Sequence, residues 1–500
     1  MAPVTPDADD ADRGLLGDGG DSDEAKPTRT YSSKGEAEDV ESAASPVTVW
    51  LHLVAFFVGC IVLRTLLLLD VFDADVVAPA VFLILFCGGT NVFLDMYVYK
   101  VHRRATTGLD FTKYNPSLPR VLLKCLGLLG CFGVLFFFYW ALPEYNGDYY
   151  FNYYEMLRVV LPVSAPFAAA YIYYVDARMK EPRDGLYNMG LAMTGRWELV
   201  SQAVLSQHLL GWAVKGFFTP LMFVPYCDDI QNLLTTDFRD LISWGDVYGW
   251  LYSFLYFVDL HFATVGYIFT FRLSDTHIRS TESSLVGWVA ALLCYSPINT
   301  VTSFYFEYSS EVEWGNWLEG APIAAFIWGS CILVLTALYA LAGVYFGVRF
   351  SNLTNRGIIT AGPYSWTKHP AYLFKNISWW MTAVPWAAPG GWDVALKNCI
   401  GLLMFNVRLS AEAAAPSLSA ANFPPALSSP PPPPSPQFIY LLRARCEEAM
   451  LSADPVYAKY ARHMDKHGLF APLAEQLRRT PGMWGALVGG SPRGGREQAE

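Results

Sequence analysis

Apolar runs dominate the text of this chain. Eight of them, at about residues 47–69, 76–98, 121–142, 157–175, 203–226, 247–271, 285–306 and 321–348, match the roughly 20 apolar residues that a helix needs to cross a bilayer core of about 30 Å. Two shorter runs follow near 371–388 and 392–407, parted by Pro389-Gly390-Gly391. These predict a re-entrant or tight helical hairpin, or two short spans. The expected fold class is therefore all-α: a polytopic transmembrane helical bundle of eight long spans plus a short C-terminal helical hairpin, behind a disordered N-terminal tail.

Composition agrees with that pattern. Five hundred residues could hold two or three soluble domains, but apolar residues make up 53% of the chain and charged residues only 16%, against a usual charged share of about 25%. Trp 16, Tyr 29 and Phe 32 suit a chain with many membrane–water boundaries. Residues 1–45 carry twelve Asp/Glu against four Lys/Arg, so this segment supplies most of the formal charge of −10. The remainder is nearly neutral, which fits neither a soluble acidic protein nor a nucleic-acid binder. Seven of the nine cysteines, from Cys60 to Cys399, lie in apolar runs, where a thiol behaves as a small hydrophobe. No CxxC or Cys/His spacing supports a zinc site or a disulfide framework, and no metal is expected. The polar, acidic N-terminus argues against a cleaved secretory signal, leaving membrane targeting to the first span.

Positive charge orients the bundle. The connections after spans 2, 4, 6 and 8 contain fourteen basic residues, among them Arg103, Arg104, Arg178, Arg183, Arg272, Arg279, Arg349 and Arg356; the alternate connections contain one, Arg239, and are otherwise acidic. The N-terminus and the segment 349–372 are thus expected to face the cytoplasm, in a multi-pass protein of the endoplasmic reticulum or another endomembrane.

Two polar segments stand apart. Residues 1–45 cannot bury enough apolar surface to offset chain entropy. Residues 411–436 contain nine Pro, seven Ala and five Ser, with Pro430 to Pro434 in a row, which forbids helix and favours extended chain. Helical text resumes at Gln437, so 392–407 and 437–453 read as one helix split by this insertion. The expected division is a disordered acidic tail (1–45), an N-terminal transmembrane region of unknown role (46–310), a membrane core (311–470) interrupted at 411–436, and a flexible C-terminal tail (471–500).

Ionisable groups within spans are candidates for function. Arg64 lies near the outer end of span 1 and can snorkel. Asp259 and His261 are deeper in span 6, but an i,i+2 spacing points them to different helix faces. A structural interhelical hydrogen bond competes there with a substrate or proton contact. The richest local signal is Arg356 to Tyr372, reading RGIITAGPYSWTKHPAY. Gly362-Pro363 marks a turn. The rules for proline put His369 at the N-cap and Pro370 at the first position of the following helix, where free N–H groups and the helix dipole favour an anion. Tyr364 and Trp366 could stack on a flat ring. Downstream, Arg443-Ala444-Arg445-Cys446-Glu447-Glu448 precedes Tyr457-Ala458-Lys459-Tyr460. Arg443 to Glu447 is i,i+4 and Arg445 to Glu448 is i,i+3, so spacing does not choose which glutamate is free.

Glycine–x–Tyr, then basic–His–Pro–x–Tyr, a short hydrophobic hairpin, Arg-x-x-x-Glu-Glu and Tyr-x-x-Tyr together resemble the C-terminal core of the isoprenylcysteine carboxyl methyltransferase family, with phospholipid N-methyltransferases as its relatives. The resemblance covers about residues 340–470. It implies that the motif loop and the glutamate-bearing helix enclose S-adenosylmethionine at the cytoplasmic face. Cofactor roles then fall to Tyr364, His369, Pro370, Tyr372, Glu447 and Glu448, and a lipid-like or prenylated acceptor would enter from the bilayer. The chain departs from the family pattern at Lys368, where arginine is usual, and in the number of spans before residue 310. Two other readings stay open. One is an NAD(P)H-dependent membrane sterol or enone reductase, whose class carries a related His-Pro-x-Tyr loop, although an acidic residue usually stands where this chain has Lys375. The other is a transporter or scaffold.

Overall fold

Proline and small polar residues set where the helices begin. Proline occupies the first turn of α1 (Pro46–Leu68) and, after α2 (Val77–Phe93), of α3 (Leu118–Ala141), where its missing N–H costs nothing. The computed structural model describes residues 42–72, 76–295, 313–387, 391–404 and 437–472. The chain continues through α4 (Phe151–Asp176), α5 (Gly185–Met193), α6 (Gln202–Thr235), α7 (Trp244–Ile268) and α8 (Leu285–Leu292). Then come α9 (Pro322–Phe346), α10 (Pro370–Ala383), α11 (Trp392–Met404), α12 (Gln437–Leu451) and α13 (Pro455–His467). The only strands among the described residues are β1 (Ser280–Thr281) and β2 (Thr354–Asn355), paired antiparallel with Ser280 opposite Asn355. The protein is an all-α membrane bundle.

Six described helices are long and apolar enough to cross a membrane: Val47–Leu68, Val77–Val98, Leu118–Ala141, Asp148–Asp176, Trp244–Ile268 and Pro322–Arg349. The expected count of eight is not confirmed among the described residues. The run at 203–226 lies inside α6, whose Gln207, His208 and Lys215, with Asp228 and Asp229 further on, lower its apolarity below that of the six. The run at 285–306 is helical only over α8, and residues 296–312 lie outside the described residues. The short pair of helices after Pro370 is present as α10 and α11. α10 lies along α9, whereas α11 packs on the Pro385–Ala387 turn and on α12. The segments 1–41, 405–436 and 473–500, which include nearly all of the acidic tail, the proline-rich insertion and the C-terminal tail, lie outside the described residues.

Residues 42–45, read from composition as part of a disordered tail, are held in place. Ala43 N–H donates to Ile358 O at 2.8 Å, and Thr360 N–H donates to Ser42 Oγ at 3.2 Å. Arg104 Nη1 donates to Ala43 O at 2.9 Å. Backbone pairing across more than 300 positions is invisible to composition. The loop that receives this segment is itself anchored by Arg356. Its buried guanidinium donates to Gly266 O and Phe269 O at the end of α7, and to Thr276 O and Phe350 O, at 2.6–2.9 Å. Those are carbonyls that helix ends and turns leave without partners.

The charges singled out within spans divide into different jobs. Arg64 donates to Leu233 O (2.8 Å) and Thr236 O (2.7 Å), covering the C-terminal carbonyls of α6. His261 is fully buried and shares a 3.0 Å hydrogen bond between its Nδ1 and Tyr226 Oη, tying α7 to α6. Asp259, two residues away, faces α9 instead and belongs to the site.

Candidate functional site

The two pieces of chain expected to fold together do so. The first is the loop leading into α10. Gly362 sits at φ +62°, and a side chain there would run into the ring of Tyr345; both facts favour glycine. Gly362–Ser365 forms a tight turn that buries Tyr364, whose ring meets Phe346 edge-on at 5.0 Å. Burial first, then the charge of neighbouring groups such as Glu447, pushes the Tyr364 hydroxyl well above its ordinary range. Tyr460 of α13 reaches back and donates to Tyr364 O at 2.6 Å. Asp454, which caps α13 through Val456 N–H, also accepts from Asn355 Nδ2 at 2.9 Å. Hence α13 clamps the loop from both ends.

His369 is the N-cap of α10 and Pro370 its first residue, as proline chemistry requires. The imidazole makes no capping hydrogen bond. It turns toward α12, where Nε2 lies 3.0 Å from Glu448 Oε1 and Nδ1 lies 3.9 Å from Glu447 Oε2. Lys368 Nζ bridges Glu448 Oε2 (3.1 Å) and Asp465 Oδ1 (3.3 Å). Burial raises the Glu448 carboxyl, but the hydrogen bond and charge of His369, with Lys368, outweigh it and hold it below the usual carboxylate range. One turn into α10, the Tyr372 hydroxyl donates to Glu447 Oε1, and its ring lies parallel to His369 at 5.5 Å and 4°. Arg443 sits 5.3 Å from the Tyr372 ring centre and 5.6 Å from that of Tyr440, within cation–π range. Its Nη2 donates to Asn352 Oδ1 at 2.9 Å and lies 3.7 Å from Glu447, while its buried Nε has no partner among the described residues.

These groups border a cavity of about 170 Å³, lined by Tyr364, His369, Tyr372, Glu447, Arg443 and Tyr440. Glu448 and Pro370 stand behind this wall: the first orients His369, the second starts the helix that carries Tyr372. The two glutamates are thereby told apart, with Glu447 on the cavity and Glu448 on His369 and Lys368. Trp366 is not part of the wall; it packs edge-on against Phe374 and is 48% exposed.

At the deeper end, sequence reasoning singled out Asp259 and missed Tyr339 and Lys375. Asp259 (α7), Tyr339 (α9) and Lys375 (α10) line the same cavity. The Tyr339 hydroxyl donates to Asp259 Oδ2, and Lys375 Nζ donates to Tyr339 Oη at 3.4 Å. Lys375 also lies 4.6 Å from the Trp379 ring centre. Gly343 lets α9 approach closely enough for this, because any side chain there would occupy the place of the Asp259 carboxylate. The signal for Asp259 was its charge within a span. For Lys375 it was the spacing 369, 372, 375, which puts all three on neighbouring turns of one helix face.

The arrangement can hold a small, flat, multiply charged molecule beside the carboxylates, with a second polar end farther into the bundle. No curated protein and no solved structure matches the chain. Residues 323–415, from the second residue of α9 through the motif loop to just past α11, do match a family model, that of the isoprenylcysteine carboxyl methyltransferase (ICMT) family.

Proposed function

We propose that this chain is an integral membrane methyltransferase that uses S-adenosylmethionine and acts on a lipid-like or prenylated acceptor of the isoprenylcysteine carboxylate type. The observation that carries the reading is the meeting of the His369 loop with the glutamate-bearing helix at 3.0 Å. Glu447 and Glu448 lie outside the stretch that matches the family model, yet they close on residues inside it.

The donor set fits the proposed cofactor. Glu447 offers a carboxylate for ribose hydroxyls or for a cationic centre. Arg443, with a buried Nε that has no partner among the described residues, suits a carboxylate. The parallel rings of His369 and Tyr372, with Tyr440 at 5.2 Å from Tyr372, offer faces for a heteroaromatic ring. Bound there, the cofactor supplies a methyl group activated by a sulfonium. The protein's share of the work is then to orient, to exclude water and to stabilise charge, since an in-line displacement needs little covalent help. Tyr364, Tyr457 and Tyr460 wall the cavity on the α13 side. His369, oriented by Glu448, holds Tyr372 in parallel contact and so fixes the hydroxyl that donates to Glu447. On this reading the loop faces the cytoplasm of an endomembrane and the acceptor enters sideways from lipid.

The test is a thermal titration of the detergent-solubilised protein with S-adenosylmethionine and, separately, NADPH. Stabilisation by the first alone is expected, reduced in His369→Ala and in the Glu447→Ala/Glu448→Ala double variant. Stabilisation by NADPH alone would replace this reading with a reductase, and by neither would remove the enzyme assignment.

A further inference from the structure

Resting on that reading, we infer that Lys375 is the residue that selects the acceptor: it binds an anionic, carboxylate-bearing head group at the deep end of the cavity, and Tyr339 with Asp259 holds it ready. Lys375 is six residues past His369 on α10, so its Cα lies about 9 Å farther along the helix axis. It shares the cavity with Glu447 and Arg443, but neither of them pairs with it. Its only hydrogen bond among the described residues is to Tyr339 Oη, at 3.4 Å, and the rings of Tyr339 and Trp379 flank the ammonium at 5.0 and 4.6 Å. An ammonium carries three donors. Two remain for a ligand.

The surroundings favour an anion over an amine. Asp259 is the acid facing this end, and its Oδ2 is occupied by the Tyr339 hydroxyl, while Oδ1 is buried against Gly343 without a partner among the described residues. A protonated amine entering here would meet Lys375 and, next to it, the cationic centre of the proposed cofactor, so like charges would face one another at low dielectric. A carboxylate would meet an opposite charge on both sides. In the transfer, a carboxylate oxygen forms the new bond to the methyl carbon, the S–CH₃ bond breaks, and its electron pair stays on sulfur; no proton is released. The ester product is neutral, so its attraction to Lys375 is lost when the reaction is complete. The same lysine therefore holds the substrate and releases the product. A buried charge-assisted hydrogen bond also gives discrimination against an isosteric ester or amide.

The experiment compares wild type with Lys375→Gln and Lys375→Arg in detergent, using S-adenosylmethionine with an N-acetylated S-prenylcysteine, its methyl ester, or phosphatidylethanolamine vesicles. Thermal stabilisation by each ligand is read alongside methyl transfer. Expected for Lys375→Gln are unchanged stabilisation by S-adenosylmethionine, loss of stabilisation by the prenylcysteine, and a rise of about tenfold or more in its KM. Lys375→Arg should recover part of the acceptor affinity, which separates charge recognition from folding damage. An unchanged acceptor KM in Lys375→Gln, a change confined to the cofactor KM, or methylation of the aminolipid in place of the carboxylate would each overturn the inference while leaving the methyltransferase reading intact. If S-adenosylmethionine neither stabilises nor serves wild type, that earlier reading fails instead.

Discussion

His369 and Glu448 are 79 positions apart in sequence, and their side chains meet at 3.0 Å between Nε2 and Oε1. The contact joins the N-cap of α10 to the last turn of α12. Lys368 reaches the other oxygen of the same carboxylate at 3.1 Å, so two consecutive residues of the loop grip one glutamate. Its effect is positional. It keeps the imidazole parallel to Tyr372, and Tyr372 in turn donates to Glu447 on the cavity wall.

This grip gives a pH dependence. The Glu448 carboxyl is held below its ordinary range in the folded protein. A depressed folded pKa contributes stability that is complete above the unfolded value, about 4.3 for glutamate, and that is lost as pH falls through the lower folded value. Wild type should therefore have a higher Tm than Glu448→Gln near pH 6, and the two melting curves should converge as the pH is lowered below 4. Melting of both proteins across that range, in one detergent and one salt, checks it. A gap that persists undiminished in acid would show that the carboxylate charge is not what Lys368 and His369 hold.

Gly362→Ala should damage the loop more than its size indicates. The backbone at φ +62° costs a side-chain-bearing residue about 1–2 kcal/mol, and the Tyr345 ring occupies the space a Cβ needs, which adds about 1–3 kcal/mol of overpacking. Lower Tm and weaker stabilisation by S-adenosylmethionine are expected together, because the turn buries Tyr364. Tyr345→Ala in the same chain should relieve the overlap but not the backbone cost.

Tyr460→Phe removes one hydroxyl and leaves Tyr364 O, buried, without its donor. An unsatisfied buried carbonyl costs about 1–3 kcal/mol. Since α13 clamps the loop through this bond, cofactor-dependent stabilisation should fall as well as Tm. A variant with unchanged cofactor affinity would detach α13 from the site and leave it a purely structural helix.

How much of this was legible in the sequence depends on the range of the interaction. The N-cap at His369 and the start at Pro370 follow from local backbone rules, and the structure has them. That the loop and Glu447-Glu448 converge came from the order of motifs, because no local rule links residues on either side of the proline-rich insertion. Spacing left both glutamates equivalent; tertiary contact separated them, since α12 packs with one toward the cavity and the other toward Lys368 and His369. The count of eight spans is unconfirmed where polar residues interrupt an apolar run, as Lys215 and His208 do in α6. The anchoring of Ser42 and Ala43 to Thr360 and Ile358 was beyond composition, because each bond uses a backbone group more than 300 positions away.

Asp259 and His261 provide the last contrast, two ionisable residues two positions apart in the same helix. Asp259 lines the cavity; His261 points to α6 and bonds Tyr226 at 3.0 Å in surroundings made of Phe56, Phe257 and Phe262. The His261–Tyr226 bond should therefore be worth what hydrogen bonds between membrane helices are worth in general, about 0.6 kcal/mol on average. A double-mutant cycle of His261→Phe and Tyr226→Phe should return a coupling of that order, with S-adenosylmethionine and acceptor KM unchanged in all three variants. Asp259→Asn should do the opposite, altering acceptor KM through Tyr339 and Lys375 more than it alters Tm. Should the histidine variants change acceptor KM and the aspartate variant not, the side of α7 that faces the cavity has been assigned the wrong way round.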